Sequence, residues 1–214
     1  LGDLCAQGGR KTFVGGNLGR PFSEACAQKY DLHVVELSSF QLEGISKAGF
    51  LGAALLNLTP DHLDRYPSHE AYSNAKGRIF LNAPRDGFAV VNGDDFDTIR
   101  LSRQAKVPTY AFSLDASRTN PGFSGLTVGD GDAFSMLYGA QPSFTVTNRA
   151  LRGAHNLQNA MAAALMARLA GVSPEAIQRG LDSFPGLPHR LESVRELDGV
   201  EWINDSKATN VDSS

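Results

Sequence analysis

Three short apolar runs in the first third of the sequence each lead to an unusual polar side chain. The first run is followed by Asn17, the second ends near Glu36, and the third is followed by 59-TPDHLDRY-66, which contains His62. Ligands of open α/β sheets bind at the carboxyl ends of the strands, so these side chains are predicted to share one site. A carboxylate there suits a hard divalent cation such as Mg2+, which prefers oxygen ligands. For His62 alone, a loop or helix-capping histidine is the alternative interpretation.

Lys76 is the second unusual residue, because it lies on the apolar stripe of a predicted helix. Helical spacing over 68–80 places Lys76 on the same side as Tyr72 and Phe80. A partly buried lysine has a lowered pKa, and its neutral amine can react with carbon dioxide to form a carbamate. That product would offer oxygen ligands to a metal. The alternative is a snorkelling side chain, whose stem is buried while its ammonium group reaches water.

Two amides and one polar loop are further candidates. Asn156 and Asn159 stand one helical turn apart near the start of an Ala-rich helix, so both amides are predicted to lie on one side of it. N-capping explains one of the two. The segment 203-INDSKATN-210 puts four polar side chains into one loop after a predicted strand: Asp205, Ser206, Lys207 and Thr209. A solvated loop and a ligand site are equally good interpretations of that segment.

The elements that must position these residues alternate between strands and helices. Apolar runs that are closed by Gly, Ser, Asn or Asp predict five strands, over 11–16, 31–37, 53–58, 87–93 and 107–113. Apolar residues at helical spacing predict helices over 21–30, 68–80 and 155–171. This order predicts an α/β fold with a mostly parallel sheet flanked by helices.

Local signals sharpen some of these boundaries and add one feature to the sheet. Ser68 is a predicted N-cap, Gly171 ends the helix over 155–171, and Ser173 opens the next helix ahead of a proline. From about 122 to 146 the pattern changes to Gly-rich turns between alternating segments, which predicts a small antiparallel β addition. The Pro-rich segment 184-FPGLPHR-190 is predicted to be a hinge.

Composition excludes several classes of function. The chain has 214 residues, 42% of them apolar, and a formal net charge of -3, so it has no basic field that would bind nucleic acid or an anionic membrane. No apolar run approaches the ~18 residues that a membrane span requires. Two cysteines without metal-binding or CxxC spacing predict reduced thiols in the cytoplasm.

Seven separated motifs, in this order along the chain, resemble the Mur ligase family of bacterial peptidoglycan synthesis. They are GGNLG (15–19), ELSSFQLE (36–43), NLTPDHLDRY (57–66), AKGRI (75–79), AHNLQNAMAA (154–163), GLPHR (186–190) and INDSKATN (203–210). The resemblance implies a P-loop NTPase-like central domain that uses ATP and two Mg2+ ions. The second, sixth and seventh motifs are most similar to the D-glutamate-adding member, which implies UDP-N-acetylmuramoyl-L-alanine and D-glutamate as substrates of a monomeric enzyme.

The resemblance also implies individual roles. Glu36 would bind one Mg2+, His62 would act on the side of the second metal and the substrate, and Lys76 would be a carbamylated metal ligand; these three form the implied catalytic set. Asn17 and Ser38 would hold the nucleotide-sugar. The other implied contacts are to ATP and D-glutamate: the adenine for Asn156 and Asn159, the ribose for Asp205, ATP phosphate for Arg190 and Lys207, and D-glutamate for Thr209.

The sequence departs from the family pattern at its ends. It starts at Leu1 rather than Met and carries no phosphate loop, so we expect a fragment. Residues 1–185 are predicted to be the central ATP-binding domain without its first strand and phosphate loop. Residues 186–214 are predicted to be the hinge and the beginning of a C-terminal Rossmann-like domain. The chain alone is expected to be inactive. A sibling Mur or folylpolyglutamate-type ligase and a non-catalytic nucleotide-binding module are the alternatives.

Overall fold

The computed structural model describes residues 1–115, 117, 125–128, 134–138 and 141–208. The α-helices are α1 (Gly2–Gln7), α2 (Ser39–Glu43), α3 (His69–Gly77), α4 (Phe96–Ser102), α5 (Ala154–Leu169) and α6 (Pro174–Ser183). The strands are β1 (Thr12–Gly16), β2 (Leu32–Glu36), β3 (Gly52–Leu55), β4 (Phe88–Asn92), β5 (Thr109–Ser113), β6 (Gly125–Val128), β7 (Phe134–Tyr138), β8 (Gln141–Val146), β9 (Glu192–Leu197) and β10 (Val200–Asn204).

The sheet arrangement confirms the predicted α/β class. Strands β3, β4, β5 and β6 are parallel neighbours, and β6, β7 and β8 continue the same sheet in antiparallel order. The five strands predicted from apolar runs are β1 to β5. The predicted antiparallel addition is present as β6 to β8. Its first strand, β6, pairs with β5 in parallel.

The parallel strands fall into two separate sheets. β1 pairs only with β2, in parallel, and β3 begins the six-stranded sheet without pairing with either of them. Within the described residues, β2 and β3 each therefore keep one edge without a strand partner. An unpaired edge presents backbone N–H and C=O groups that can bind another strand.

Helix α5 forms the centre of the larger hydrophobic core. Leu157, Met161 and Leu165 are completely or almost completely buried and recur every four residues, so they make one continuous apolar face. This face belongs to the same buried cluster as Val90 of β4 and Phe112 of β5. The opposite face of the sheet is covered as well, because a second buried cluster joins strand residues to α3 and α4. Helices on both faces are typical of a parallel sheet.

Three predicted helix boundaries are confirmed. The hydroxyl of Ser68 accepts a hydrogen bond from the N–H of Ala71, and Ser173 caps α6 in the same way. α5 ends in a Schellman motif, in which Gly171 takes a φ of 85° and Val172 donates its N–H to the carbonyl of Ala167 over 2.9 Å.

The predicted helix over 21–30 is wrong as an α-helix. The segment forms a 3-10 helix over Phe22–Ala27, and Gln28 then has extended backbone angles. Phe22 and Tyr30 both pack edge-on against the buried ring of Phe13, at ring distances of 6.0 and 5.5 Å. These tertiary contacts outweigh the weak helical propensity of a short segment.

Near the end of the described residues, β9 and β10 form an antiparallel hairpin, and β10 is the strand that was predicted ahead of the polar loop. The Pro-rich segment 184–190, called the hinge segment below because a hinge is predicted there, connects α6 to this hairpin, and an isolated bridge pairs Leu187 with Arg190. Among the helices of the described ranges, none is both long enough and apolar enough to cross a membrane.

Candidate functional site

Strands β1 and β2 bring Asn17 and Glu36 into contact. In the parallel register Gly16 lies beside Glu36, and the N–H of Asn17 donates to the carbonyl of Glu36 over 2.8 Å. The side chains also meet, because Nδ2 of Asn17 lies 3.2 Å from Oε1 of Glu36. Gly16 is required at this crossing, since it has a φ of 120° and an added Cβ would lie 2.2 Å from the carbonyl oxygen of Glu36.

Two details describe the surroundings of this pair. Glu36 is exposed, and β1 is the only described strand that pairs with β2. The carboxylate therefore faces solvent and is open to a ligand. Asn17 does not begin a helix, since residues 17–20 form a bend and the next helical segment starts at Phe22.

Ser38 begins the short helix that follows β2. Its hydroxyl accepts the N–H of Gln41 over 3.3 Å, and the side-chain oxygen of Gln41 accepts the N–H of Ser38 over 2.8 Å. This reciprocal pair is a capping box. Ser38 therefore has a defined structural role two residues after Glu36, and its contact with substrate stays a prediction.

His62 lies in the loop that follows β3, in a backbone conformation that is uncommon for residues other than glycine. Its φ is 54°, in the left-handed region. Its Nε2 lies 3.6 Å from a carboxylate oxygen of Asp61, and its ring packs 5.0 Å from the ring of Phe40 in α2. The start of the loop is held by Asp95, which accepts the N–H of Leu58 over 3.0 Å.

Lys76 is half-buried on the inward side of α3, as predicted. Its Nζ lies 5.8 Å from the ring centre of Tyr72, which is itself buried. Burial lowers the pKa of Lys76, and the negative charges of Glu36 and Asp61 oppose that shift. Glu36 at the end of β2 and Asp61 after β3 therefore lie near enough to Lys76 for their charges to act on it.

The residues around Lys76 fit a magnesium ion by their chemistry. Glu36, Asp61 and the amide of Asn17 offer oxygen atoms, which is the ligand type that Mg2+ prefers alongside water and phosphate. Among the described residues, no three His, Cys, Asp or Glu side chains are placed to hold a metal by themselves. The metal assignments of Glu36, His62 and Lys76 therefore stay predictions.

The two amides of α5 lie near its first turn, but neither is the N-cap. Gly153 occupies that position with a φ of 90° and no side-chain hydrogen bond. Asn156 instead donates to the carbonyl of Arg152 over 3.0 Å, and Asn159 is exposed one turn further on. Capping by the side chain thus explains neither residue.

The polar loop after β10 meets the hinge. Asp205 accepts the N–H of Leu191 over 3.2 Å, and the N–H of Lys207 donates to the carbonyl of His189 over 3.0 Å. Arg190, which stands between His189 and Leu191 in the sequence, is exposed. The structure thus brings three predicted ATP contacts together at the hinge. Thr209 lies outside the described residues.

A cavity of about 410 Å³ opens beside this hinge. Three arginines line it, Arg149, Arg152 and Arg190, together with Glu201 and hinge residues. A volume of this size is within the range of small-molecule sites. Arg152 binds Glu201 through both guanidinium NH groups, one of them at 2.9 Å. That hydrogen bond and a second one from Ser193 lower the pKa of Glu201 to about 2.

Sequence reasoning missed the roles of Asp61 and Arg152. Asp61 directly precedes His62 in a motif that was already singled out, so its carboxylate was an available signal. Arg152 directly precedes the glycine that caps α5, but nothing in the sequence pairs it with Glu201, which lies 49 positions away.

Comparison with known proteins shows the family to which this chain belongs. A family model described as the Mur ligase middle domain matches residues 17–167. MurF from Acinetobacter baumannii has the same fold over 99% of this chain and 48% of its own, with a TM-score of 0.75 and 22% identity. A UDP-N-acetylmuramoyl-L-alanyl-D-glutamate--2,6-diaminopimelate ligase gives a TM-score of 0.72 at 23% identity over 92% of this chain and 45% of its own. The chain belongs to the Mur ligase family.

More similar sequences carry one particular name. The UDP-N-acetylmuramoylalanine--D-glutamate ligase of Myxococcus xanthus (strain DK1622) is 61% identical over 99% of this chain and 47% of its own length. The enzyme of that name from Anaeromyxobacter dehalogenans (strain 2CP-C) is 49% identical over 96% of this chain and 46% of its own. The chain thus spans about half the length of these relatives.

Proposed function

We propose that the full-length protein is an ATP-dependent ligase that adds D-glutamate to UDP-N-acetylmuramoyl-L-alanine in peptidoglycan synthesis. The observation that carries the proposal is the 61% identity over almost the whole chain to a relative with that name. The grouping of Asn17, Glu36 and Lys76 at the carboxyl edge of the parallel strands supports it, because open α/β sheets bind ligands there.

The reaction joins two molecules that both carry negative charge. The γ-phosphoryl group of ATP passes to the carboxylate of the nucleotide-sugar peptide and leaves ADP. The neutral amino group of D-glutamate then attacks the acyl carbon, so that the amide C–N bond forms, the bond to phosphate breaks, and phosphate and a proton are released. Bound Mg2+ would neutralise the crowded phosphate charge. Glu36 would hold one ion, and His62 and a carbamylated Lys76 would hold the second.

Half-burial of Lys76 supports the carbamate, because only the neutral amine reacts with carbon dioxide and burial favours that form. Carbon-13 NMR of the full-length protein with labelled bicarbonate tests it. The parent protein should give a carbamate signal that the Lys76→Arg variant lacks. An unchanged spectrum in that variant would contradict the assignment.

The remaining chain residues would bind and orient the substrates. Asn17 contacts Glu36, and Ser38 follows Glu36 by two residues, which supports a contact of both with the nucleotide-sugar. The hinge cavity and its arginines support an ATP site there. The proposed contacts in this second region are Asn156 and Asn159 to adenine, Asp205 to ribose, and Arg190 and Lys207 to phosphate. Thr209 would face D-glutamate.

The domain boundary is part of the proposal. Residues 1–185 would be the ATP-binding domain, and residues 186–214 the hinge and the start of the next domain. The edges of β2 and β3 that lack a strand partner support a further strand between the two sheets in the full-length protein. The phosphate loop would follow that strand. ATP and nucleotide-sugar substrates favour a cytoplasmic enzyme that serves cell shape and division, and we propose that it acts as a monomer.

A coupled assay of the full-length protein tests the function. With ATP, Mg2+ and UDP-N-acetylmuramoyl-L-alanine, we expect phosphate release that depends on D-glutamate. The same assay with the corresponding nucleotide-sugars and L-alanine, a diamino acid, a dipeptide or a folate acceptor separates this enzyme from sibling ligases. Turnover with one of these and none with D-glutamate would contradict the proposal. Calorimetry should detect no tight ATP binding to residues 1–214 alone.

A further inference from the structure

An ion pair outside the assigned residues joins α2 to the loop that carries His62. Nη2 of Arg65 lies 3.1 Å from Oε2 of Glu43, the last residue of α2. Arg65 is also tied to the histidine through the backbone, because its N–H donates to the carbonyl of His62 over 3.0 Å. The pair therefore connects the end of one element to the turn that holds the imidazole.

The guanidinium of Arg65 also contacts an aromatic stack beside His62. It lies 5.8 Å from the ring centre of Phe40 and 5.7 Å from that of Tyr66. The two rings are almost parallel, with 5° between their planes. Phe40 in turn packs 5.0 Å from the imidazole. Glu43 thus holds a guanidinium against the ring that limits the position of the His62 side chain.

The backbone of His62 makes this support necessary. A non-glycine residue with a φ of 54° is uncommon, and such conformations persist when the surrounding structure fixes them. Asp95 fixes the start of the loop through Leu58. The Glu43–Arg65 pair fixes its other end.

The same pair contributes little to the stability of the fold. The side chain of Arg65 is 58% exposed and that of Glu43 is 34% exposed, and ion pairs at this level of exposure add little free energy. Its removal is therefore expected to leave the protein folded while it changes the position of the imidazole.

We propose that Glu43 and Arg65 act as a positioning pair for His62. Neither residue touches the reacting atoms in this account. The pair acts through the Phe40 ring and through the turn between residues 62 and 65. Its effect on turnover depends on the proposed ligase function, whereas its effect on the imidazole does not.

The test uses full-length protein with carbon-13-labelled histidine, in the variants Glu43→Gln, Arg65→Met, Arg65→Lys and Glu43→Gln/Arg65→Met. We expect the His62 ring signals, assigned with a His62→Asn variant, to shift in Arg65→Met and Glu43→Gln and to shift less in Arg65→Lys. The matched control is Arg100→Met, which breaks the Arg100–Asp97 ion pair and should leave the His62 signals in place.

Kinetics give the second readout. The single variants Glu43→Gln and Arg65→Met should each lower kcat about 10-fold, which is a usual cost of losing a group that orients a functional side chain. The double variant should be no slower than either single variant, because both changes release the same contact. KM for ATP should stay near the parent value, since the hinge residues are untouched.

Two outcomes would overturn the positioning role. The first is an unchanged set of His62 ring signals in Arg65→Met, and the second is losses of kcat that multiply in the double variant. An inactive parent protein would instead contradict the proposed function, and the NMR comparison would still decide whether the pair positions His62.

Discussion

Nδ2 of Asn17 donates a hydrogen bond to Oε1 of Glu36 across 3.2 Å, where two adjacent parallel strands end. The contact holds one carboxylate oxygen by a neutral donor. Because Glu36 is exposed, the other oxygen is free to approach a cation. The pair is the best-defined part of the candidate site.

Replacement of Asn17 by leucine should weaken the binding of nucleotide-sugar rather than the fold. In the proposed site the Asn17 amide binds the nucleotide-sugar diphosphate, and loss of a hydrogen bond to such a charged group is worth enough to raise KM for UDP-N-acetylmuramoyl-L-alanine roughly tenfold. Because the residue is exposed, the free energy of unfolding should change by less than ~0.5 kcal/mol. Steady-state kinetics and chemical denaturation measure the two effects. Asn74→Leu, which removes an exposed amide from α3, is the control and should change neither.

The half-burial of Lys76 predicts a particular dependence of stability on pH. Its pKa in the folded protein lies below the ordinary value of 10.5, so between the two pKa values the unfolded chain binds more protons. The free energy of unfolding therefore rises with pH through this window and reaches its full value above 10.5. At neutral pH the buried ammonium is a cost, so Lys76→Met should be more stable than the parent.

Chemical denaturation at several pH values between neutral and alkaline checks this prediction. The stability advantage of Lys76→Met should shrink as pH rises toward 10.5, because the parent then loses its buried charge. The measurements should be made without bicarbonate, so that no carbamate forms. An advantage that is the same at every pH would contradict the lowered pKa.

The Arg152–Glu201 pair gives a prediction at acid pH. The pKa of Glu201 is about 2, below the ordinary 4.5, because Arg152 donates hydrogen bonds to the carboxylate. The contribution of the Arg152–Glu201 pair to the free energy of unfolding is therefore complete above pH 4.5 and is lost as pH falls toward 2. NMR titration of the Glu201 carboxyl should show this low pKa in the parent and a value near the ordinary one in Arg152→Met. A low pKa that persists in the variant would show that another group causes it.

Periodic segments with clear end signals could be predicted from the sequence. α5 and α6 were foreseen because apolar residues recur at helical spacing and because Gly171 and Ser173 mark the boundaries. The strands β1 to β5 were foreseen because each apolar run ends at turn-forming residues. The segment 21–30 was misjudged, since aromatic packing on Phe13 decides its conformation and local pattern does not record that contact.

The members of the candidate site are predicted by motif order, whereas its geometry could not be. The motifs predict Glu36, His62 and Lys76, and the charge of Glu36 acts on Lys76, which agrees with the proximity of these two side chains. The contacts between Arg65 and Glu43 and between Arg152 and Glu201 could not be foreseen. They join residues 22 and 49 positions apart, and only the packing of whole elements brings such residues together.

The most direct test of Glu36 as the metal ligand is the kcat of the full-length Glu36→Gln variant. It is measured with ATP, UDP-N-acetylmuramoyl-L-alanine and D-glutamate over a range of Mg2+ concentrations. Glutamine keeps the shape and the exposed position but removes the charge. If Glu36 binds the metal, kcat should fall by about 100-fold or more, and half-maximal activity should need more Mg2+. A variant that retains the parent kcat and the parent Mg2+ dependence would contradict the assignment of Glu36 as the metal ligand.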